Sequence, residues 1–282
     1  MIGRASLRLG TIGPIEINVN VTWLAVFGLL IYWLRVGYVA ENGGDLGSIA
    51  AWLVSVGGAL ILFASVLAHE LSHSIVAIRN GLPIRKITLF IFGGVAHMES
   101  EPKTPGVEFK MAIAGPLMSI AIAAVAGLLR FGLLGGNPTG VAALITEYAF
   151  FANAVLACFN LVPGFPLDGG RVLRALLWKV TRDYVKSTLV ASSIGRAFGL
   201  LMVFAGVTAA IAYEMPGFLW PVLVGVFIER LAHLSAVRVR RMHPGVPAGR
   251  RAGFAPITAT SRPVYQRPSF SVPGSGQDDE TE

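Results

Sequence analysis

Charged residues are scarce in this chain: they make up 14% of its 282 residues, whereas hydrophobic residues make up 54%. Soluble domains carry about 25% charged residues, so this composition excludes an ordinary soluble protein. A run of about 20 apolar residues is long enough to cross a bilayer. The sequence contains six such runs, at residues 19–37, 51–79, 108–134, 140–162, 187–213 and 216–236. We therefore predict an all-α polytopic membrane protein with six transmembrane helices.

Other absences narrow the class of protein further. Cys158 is the only cysteine, which excludes a disulfide within the chain. The net charge is +7, yet no basic helix with interleaved aromatic residues is present, so we expect no nucleic-acid partner. The N-terminal segment lacks the short apolar core and small-residue cleavage site of a secretory signal. We therefore expect the first span to remain as a helix.

Basic residues are concentrated in alternate connections between the spans. They precede the first span, surround the second connection, fill the fourth and follow the last span, whereas the other connections are nearly free of them. Lys and Arg accumulate on the cytoplasmic side of membrane proteins, so we expect both termini there. The predicted parts are an interfacial hairpin at 1–18, a membrane domain at 19–236, and a basic, then disordered, cytoplasmic tail at 237–282.

Two segments favour β-structure over helix. Residues 84–98 are rich in β-branched and aromatic side chains and are interrupted by Gly93–Gly94, which suits a strand with a glycine bend. The segment from Ala5 to Asn18 has glycine and proline at its centre and predicts a hairpin that pairs with this strand. Such a small sheet at the cytoplasmic interface would have an open edge that accepts an extended peptide. An ordinary ordered loop is the alternative.

His69, Glu70 and His73 form an H-E-x-x-H motif inside the apolar segment 51–79. Positions i and i+4 share a helix face, so the two imidazoles can bind one Zn²⁺ while Glu70 lies beside the open coordination position. Ionisable side chains near the bilayer interior cost roughly 2.5–3.5 kcal/mol each on insertion scales, which a bound metal ion would offset. The motif therefore predicts a zinc hydrolase that works on polypeptides within the membrane.

A catalytic zinc site needs a third protein ligand. The extended form of the motif would require Gly at 76 and His at 79, where this chain has Val76 and Arg79. Asp168 is the better candidate, because two prolines and a glycine break the fourth span just before it. Non-helical backbone at membrane depth is tolerated where it lines a cavity. The alternative is that Asp168 is the N-cap of a helix at about 170–181.

This set of motifs resembles the site-2 protease family of intramembrane zinc metalloproteases. The resemblance covers most of residues 1–235 and rests on four segments: His69-Glu70-Leu71-Ser72-His73, Phe92-Gly93-Gly94, Ala114-Gly115-Pro116, and Asn160 through Gly170 with its Pro-Leu-Asp-Gly-Gly.

The resemblance implies a set of roles for these residues. His69, His73 and Asp168 would bind zinc, one ion per chain. Glu70 would be the catalytic acid and base, and Asn160 would help to hold the substrate backbone. Without the resemblance, Asn160 could equally be a polar residue at a helix end that bonds its own backbone. Apart from the resemblance, the strand pattern itself predicts that an edge strand near Phe92, Gly93 and Gly94 binds the locally unwound substrate. The expected substrates are single-span membrane-tethered regulators, such as anti-sigma factors, in the cell membrane of a bacterium or archaeon.

Two other classes of function use the same residues. In a metal transporter, the two histidines, Glu70 and Asp168 would form a transport site. In a catalytically silent protein that binds membrane helices, a general base such as Glu70 would have no purpose, which argues against that class. The sequence leaves self-association of the chain open.

Further contacts between spans are predicted. Small residues permit close packing in membranes, so Gly115, Pro116 and Ser119 should let the third span approach the helix of the motif. Arg196 and Glu229 lie at similar depths in their spans, roughly 10–14 Å by helical rise, and we predict that they pair. His97 is not expected to be a metal ligand.

Overall fold

The computed structural model of the protein describes residues 6–90, 93–98, 101–133, 140–214, 217 and 219–243. The described residues form four strands, which are β1 (Ser6–Ile12), β2 (Ile15–Asn20), β3 (Ile84–Phe90) and β4 (Gly93–Met98). They also form eight α-helices, which are α1 (Val21–Trp33), α2 (Val39–Asn42), α3 (Ser48–Arg79), α4 (Pro105–Gly127), α5 (Val141–Asn160), α6 (Asp168–Thr181), α7 (Tyr184–Tyr213) and α8 (Leu219–Met242). Short π-helical segments follow α1 and α4, at Leu34–Tyr38 and Leu128–Leu133.

Five helical segments of the described chain are long and apolar enough to cross a membrane. They are Val21–Asn42, Ser48–Arg79, Pro105–Leu133, Val141–Asn160 and Tyr184–Tyr213. The sixth predicted span corresponds to α8, which is helical but is not among these five, and it continues beyond residue 236 to Met242. The expectation of a polytopic helical protein is therefore confirmed, while the count of six spans stays a prediction. The disordered tail was predicted for residues that lie almost entirely outside the described ranges.

Polar residues at the helix starts determine where several helices begin. The side chain of Thr104 accepts a hydrogen bond from the backbone of Val107 at the start of α4, where Pro105 occupies the first turn. Asp183 accepts one from the backbone of Lys186 at the start of α7. This cap places the beginning of α7 three residues earlier than its apolar run predicts.

The four strands form one sheet with the order β1-β2-β3-β4. The predicted hairpin is confirmed: β1 and β2 are antiparallel, and β2 pairs with β3 in parallel. The prediction for residues 84–98 is corrected, because this segment forms two antiparallel strands, and Gly93 and Gly94 begin the second one. Among the described strands, β4 pairs with β3 alone and lies at an edge of the sheet.

One hydrophobic core joins the sheet to the helices. Ile15, Ile17 and Val19 of β2 and Ile87 and Leu89 of β3 are buried in one cluster. The same cluster includes Ala77 of α3 and Met111 of α4. The sheet is therefore packed beside the C-terminal half of α3, which carries the H-E-x-x-H motif.

The helices α7 and α8 pack closely through glycines. A Cβ on Gly199 would lie 2.6 Å from the carbonyl oxygen of Gly225, and one on Gly225 would lie equally close to that of Gly199. Next to this contact, Nε of Arg196 donates to Oε1 of Glu229 at 3.1 Å. The predicted pairing of these two charged residues is confirmed.

Candidate metal centre

The two histidines of the motif lie on one face of α3. His69 is 3% exposed, and its Nε2 lies 3.2 Å from Nε2 of His73. Because the helix carries residues i and i+4 on the same side, the local sequence alone brings these two atoms together.

Asp168 reaches the two imidazoles from a different part of the chain. Helix α5 ends at Asn160, and after a series of turns Asp168 becomes the first residue of α6. Its Oδ2 lies 3.0 Å from Nε2 of His69 and 3.1 Å from Nε2 of His73. The alternative N-cap role is wrong: Leu167 occupies the cap position, no side chain caps this helix, and the carboxylate of Asp168 is directed at the imidazoles.

The outer nitrogens of both rings have polar partners on α4. Nδ1 of His73 lies 2.7 Å from the carbonyl oxygen of Met111, and Nδ1 of His69 lies 2.9 Å from Oγ of Ser119. A carbonyl oxygen can only accept, so Nδ1 of His73 donates. In the neutral ring, Nε2 of His73 then carries a lone pair that faces the carboxylate of Asp168, which also only accepts.

This arrangement fits a zinc ion. Two lone-pair-bearing atoms at about 3 Å repel each other unless a cation or a proton lies between them. Ligand atoms around a tetrahedral Zn²⁺ at bond lengths of about 2.0–2.1 Å are separated by about 3.3 Å, close to the 3.0–3.2 Å found here. Hydrogen bonding of the outer ring nitrogens is also typical of metal-ligating histidines. The set of His69, His73 and Asp168 is the group of potential metal ligands found among the described residues.

The charge of Asp168 is stabilised by the same neighbours. Without a metal ion, Nε2 of His73 must carry a proton to face this carboxylate. Burial acts to raise the pKa of Asp168, but the charge of protonated His73 and the hydrogen bonds from His69 and His73 outweigh burial and hold that pKa below its usual value. The residue is therefore ionised, as a metal ligand must be.

Helix α4 closes one side of the cluster. A Cβ on Gly115 would lie 2.6 Å from Nε2 of His69 and closer still to Nε2 of His73. Ser119, one turn further, is fully buried. The prediction that small residues of the third span approach the motif is confirmed, and only glycine fits at position 115 without displacing the imidazoles.

Glu70 lies between the cluster and the edge strand. A Cβ on Gly94 of β4 would lie 2.8 Å from the carboxyl carbon of Glu70, so the strand backbone passes directly over this side chain. Phe92 lies outside the described residues, as do the surroundings of Gly93 and the side chain of His97. Of the three residues predicted to form the substrate-binding edge, the structure therefore places Gly94 beside Glu70.

A cavity of about 880 Å³ contains the cluster. Glu70, Gly94 and Asn160 line it together with the three potential ligands. Nδ2 of Asn160 donates to the carbonyl oxygen of Leu156 at 2.9 Å, so this amide nitrogen is engaged by its own helix while the residue still faces the cavity.

Two parts of the cavity wall were not predicted from the sequence. Residues of α8 from Trp220 to Arg238 line one side, and nothing in the local sequence indicates where α8 packs. Arg171 also lines the cavity. Its position one turn after Asp168 on α6 places both side chains on one face, and this spacing could have identified it.

A buried ion pair holds α6 against α4. Arg174 of α6 donates through Nε to Oε1 of Glu108 at 2.6 Å, and its Nη2 donates to the same oxygen. Nη1 donates to the hydroxyl of Tyr184 at 2.8 Å, and that hydroxyl donates to Glu101. Since Asp168 lies two turns before Arg174, this network positions the third potential ligand relative to α4.

Replacing Glu108 by Gln should destabilise the fold. Glu108 is fully buried, and removing one partner of a buried ion pair costs about 3–5 kcal/mol because the other charge is left uncompensated. We expect the midpoint of thermal unfolding in detergent to fall by several degrees. Glu101→Gln is the matched control, since Glu101 is exposed and its change should cost less than about 1 kcal/mol. Equal decreases of the unfolding midpoint in the two variants would contradict the larger role assigned to Glu108.

Comparison with known proteins agrees with this geometry. The profile of peptidase family M50 matches residues 57–139 and 136–204, which include all three potential ligands. Rip3 of Mycobacterium tuberculosis is 34% identical over 258 residues, which are 91% of this chain and 65% of Rip3. The zinc metalloprotease MJ0392 of Methanocaldococcus jannaschii is 38% identical over 201 residues, 71% of this chain and 54% of that protein.

A solved structure is also similar. The site-2 protease from Methanocaldococcus jannaschii superposes with a TM-score of 0.54 and 32% sequence identity, covering 82% of this chain and 95% of that one. The chain spans less than two thirds of the length of both relatives named above. The region that the family profile matches contains the H-E-x-x-H motif, α4, α5 and α6. By its profile match, its relatives and its fold, the chain belongs to peptidase family M50, the family of the site-2 proteases.

Proposed function

We propose that this protein is an intramembrane zinc endopeptidase that cleaves transmembrane segments of membrane-tethered proteins. The observation that carries the proposal is the convergence of His69, His73 and Asp168, with ligand atoms 3.0–3.2 Å apart, next to a carboxylate under an edge strand. The relatives named as zinc metalloproteases and the site-2 protease fold support it.

The three ligands would hold one zinc ion per chain. A zinc ion bound there would lower the pKa of its bound water to about 7 and would polarise the scissile carbonyl. Glu70 accepts the proton of the attacking water and transfers it to the nitrogen of the leaving amine. The bond that breaks is the peptide C–N bond, and the products are a carboxylate and an amine.

A helical substrate is hard to cleave because its amide groups are engaged in its own hydrogen bonds. The edge strand can overcome this obstacle. Once part of the substrate unwinds, β4 can pair with it through main-chain hydrogen bonds, and Gly94 keeps the added strand close to Glu70. The cavity of about 880 Å³ leaves room for an extended segment. Asn160 lies on the cavity wall, where its side-chain amide can donate a hydrogen bond to the substrate backbone or accept one from it.

The proposed orientation in the membrane follows from the distribution of basic residues along the chain. All six spans, including α8, cross the cell membrane of a bacterium or archaeon, with both termini and the sheet on the cytoplasmic side. Single-span regulators are the proposed substrates. A metal transporter is less well supported, because the relatives are named zinc metalloproteases and a transport site has no need of an edge strand that can pair with a peptide.

Metal removal tests the proposal directly. The protein is co-expressed with candidate single-span regulators, purified with them in detergent, and any cut is mapped by mass spectrometry. Treatment with a chelator should abolish the cut, and stoichiometric Zn²⁺ should restore it, because the ligands leave one coordination position for water. Cleavage that persists without metal, or a cut in the soluble part of every substrate, would overturn the proposal.

A further inference from the structure

A second cavity lies between α7 and α8 and shares no lining residue with the cavity of the metal centre. It has a volume of about 120 Å³ and is lined by polar residues of both helices, among them Ser192, Ser193, Arg196, His233 and Arg240. The volume is large enough for a phosphate group but not for a peptide. The lining contains basic and hydroxyl side chains, and no carboxylate of the described chain is among its lining residues.

One hydroxyl group beside this cavity has no partner within the described chain. Ser192 is 1% exposed, and its Oγ is buried with no hydrogen-bond partner among the described residues. A buried polar atom without a partner is costly. Rotation of the Ser192 side chain towards the cavity would let a ligand accept its hydrogen bond and recover that cost.

The basic residues retain free donors. Arg196 uses Nε for Glu229, but a guanidinium has five N–H donors, so four remain. Arg240 and His233 have no ion pair within the described part of the chain. The cavity therefore offers one hydroxyl and the guanidinium groups of Arg196 and Arg240 to an anion, a combination that suits a phosphate oxygen better than a carbonyl.

The cavity lies at the level of the lipid headgroups. Helix α7 has 30 residues and a length of about 45 Å, whereas the hydrocarbon core is about 30 Å thick. With its axis along the membrane normal, α7 therefore extends about ten residues beyond the core. They are at the start of α7, because Lys186 is there and the antiparallel α8 ends beside it in Arg238, Arg240 and Arg241. Ser192 and Ser193 are then close to the boundary between headgroups and hydrocarbon.

An exposed apolar stripe continues from the cavity towards the hydrocarbon. Leu200 and Phe204 lie one and two turns beyond Arg196 on the same face of α7, and they are 57% and 68% exposed. Val226 lies two turns before His233 on α8 and is 47% exposed. A free phosphate would make no contact with this apolar stripe, whereas the acyl chains of a phospholipid would cover it.

We propose that this cavity binds the phosphodiester of one anionic phospholipid. Arg196, Arg240 and Ser192 hold the phosphate oxygens, and the acyl chains lie along Leu200, Phe204 and Val226. The site is separate from the metal centre, so its occupancy does not depend on the proposed proteolytic activity.

Native mass spectrometry of the full chain in detergent tests the proposal. Phosphatidylglycerol and phosphatidylcholine with the same acyl chains are added in turn, and retained lipid is counted. We expect one phosphatidylglycerol per chain, bound about tenfold or more tightly than phosphatidylcholine. Equal retention of the two lipids would overturn the proposal. Inorganic phosphate in large excess should not displace the lipid, and displacement would show a site for any phosphate rather than for a phospholipid.

Two variants identify the residues. Replacing Arg196 and Arg240 together by Gln should weaken phosphatidylglycerol binding about tenfold. The charge-matched control replaces Arg79 and Lys179 by Gln, at the ends of α3 and α6, and should change binding less than about twofold. An equal loss in both double variants would mean that overall charge, not the cavity, attracts the lipid.

Ser192→Ala distinguishes loss of lipid binding from loss of folding, because it leaves the ion pair between Arg196 and Glu229 intact. In phosphatidylcholine this variant should unfold at the same temperature as the wild type or higher, since the lost hydroxyl has no partner. The rise in unfolding temperature caused by phosphatidylglycerol should be smaller than in the wild type. An unchanged rise would exclude Ser192 from the site and contradict the proposed geometry.

Discussion

Replacement of Glu70 by Gln is expected to lower the rate of peptide cleavage by about 10²–10⁴-fold while zinc content stays near one ion per chain. The amide has almost the same shape as the carboxylate, so the side chain still fits beside Gly94. It cannot accept the proton of the attacking water, however. Glu70 is also not one of the three residues whose ligand atoms converge, so the metal should remain bound.

The measurement combines zinc content by elemental analysis with cleavage of a co-purified single-span substrate. Glu41→Gln provides the control, because Glu41 is an exposed carboxylate on α2, far along the chain from the motif. It should change neither quantity. If Glu70→Gln cleaved as fast as the wild type, Glu70 would not be the general base. If the Glu70 variant altered zinc flux into vesicles and cleavage never occurred, the transporter class would be favoured instead.

Replacement of Gly115 by Ala is expected to remove most of the bound zinc. The added methyl group would overlap the Nε2 atoms of His69 and His73, which are the atoms that face the metal. Backbone atoms of α4 cannot retreat easily, since Nδ1 of His73 is bonded to the carbonyl oxygen of Met111 on the same helix. We expect zinc affinity to fall by about 10–100-fold or more, as for other disruptions close to metal ligands.

Gly106→Ala is a control on the same helix, because a Cβ on Gly106 meets nothing within 4 Å. Both substitutions replace glycine by the better helix former, and each should favour the helix by up to about 1 kcal/mol. Circular dichroism should therefore show intact helices in both variants, with zinc lost only from the Gly115 variant. Full zinc occupancy in Gly115→Ala would mean that α4 does not close the site as the structure describes.

The apolar spans were predictable because a bilayer requires long uninterrupted runs of hydrophobic side chains, and such runs are local in the sequence. The predicted segment 51–79 differs from α3 by three residues at its start and by none at its end. The first span was predicted less well, since the helix continues through a π-helical turn to Asn42. No composition rule separates that extension from a loop.

The strand prediction shows the limit of local patterns. The β-branched residues of 84–98 indicate extended structure, but a single strand and a hairpin have the same composition. Pairing of β3 with both β2 and β4 is a long-range choice. It depends on the core that Ile87 and Leu89 share with α3 and α4.

The sequence by itself determined the chemistry of the protein: two imidazoles on one helix face with a carboxylate at the adjacent position, a second carboxylate after a broken span, and the hydrophobic runs that place them in a membrane. Helical spacing and side-chain identity are properties of the chain, so they can be read from it. Only the tertiary structure decided which atoms surround that chemistry. These surroundings are the carbonyl oxygen of Met111, the space left at Gly115 and the wall formed by α8. They depend on where the backbone lies. Since all residues share the same backbone groups, the sequence does not indicate which of these groups packing brings to the site.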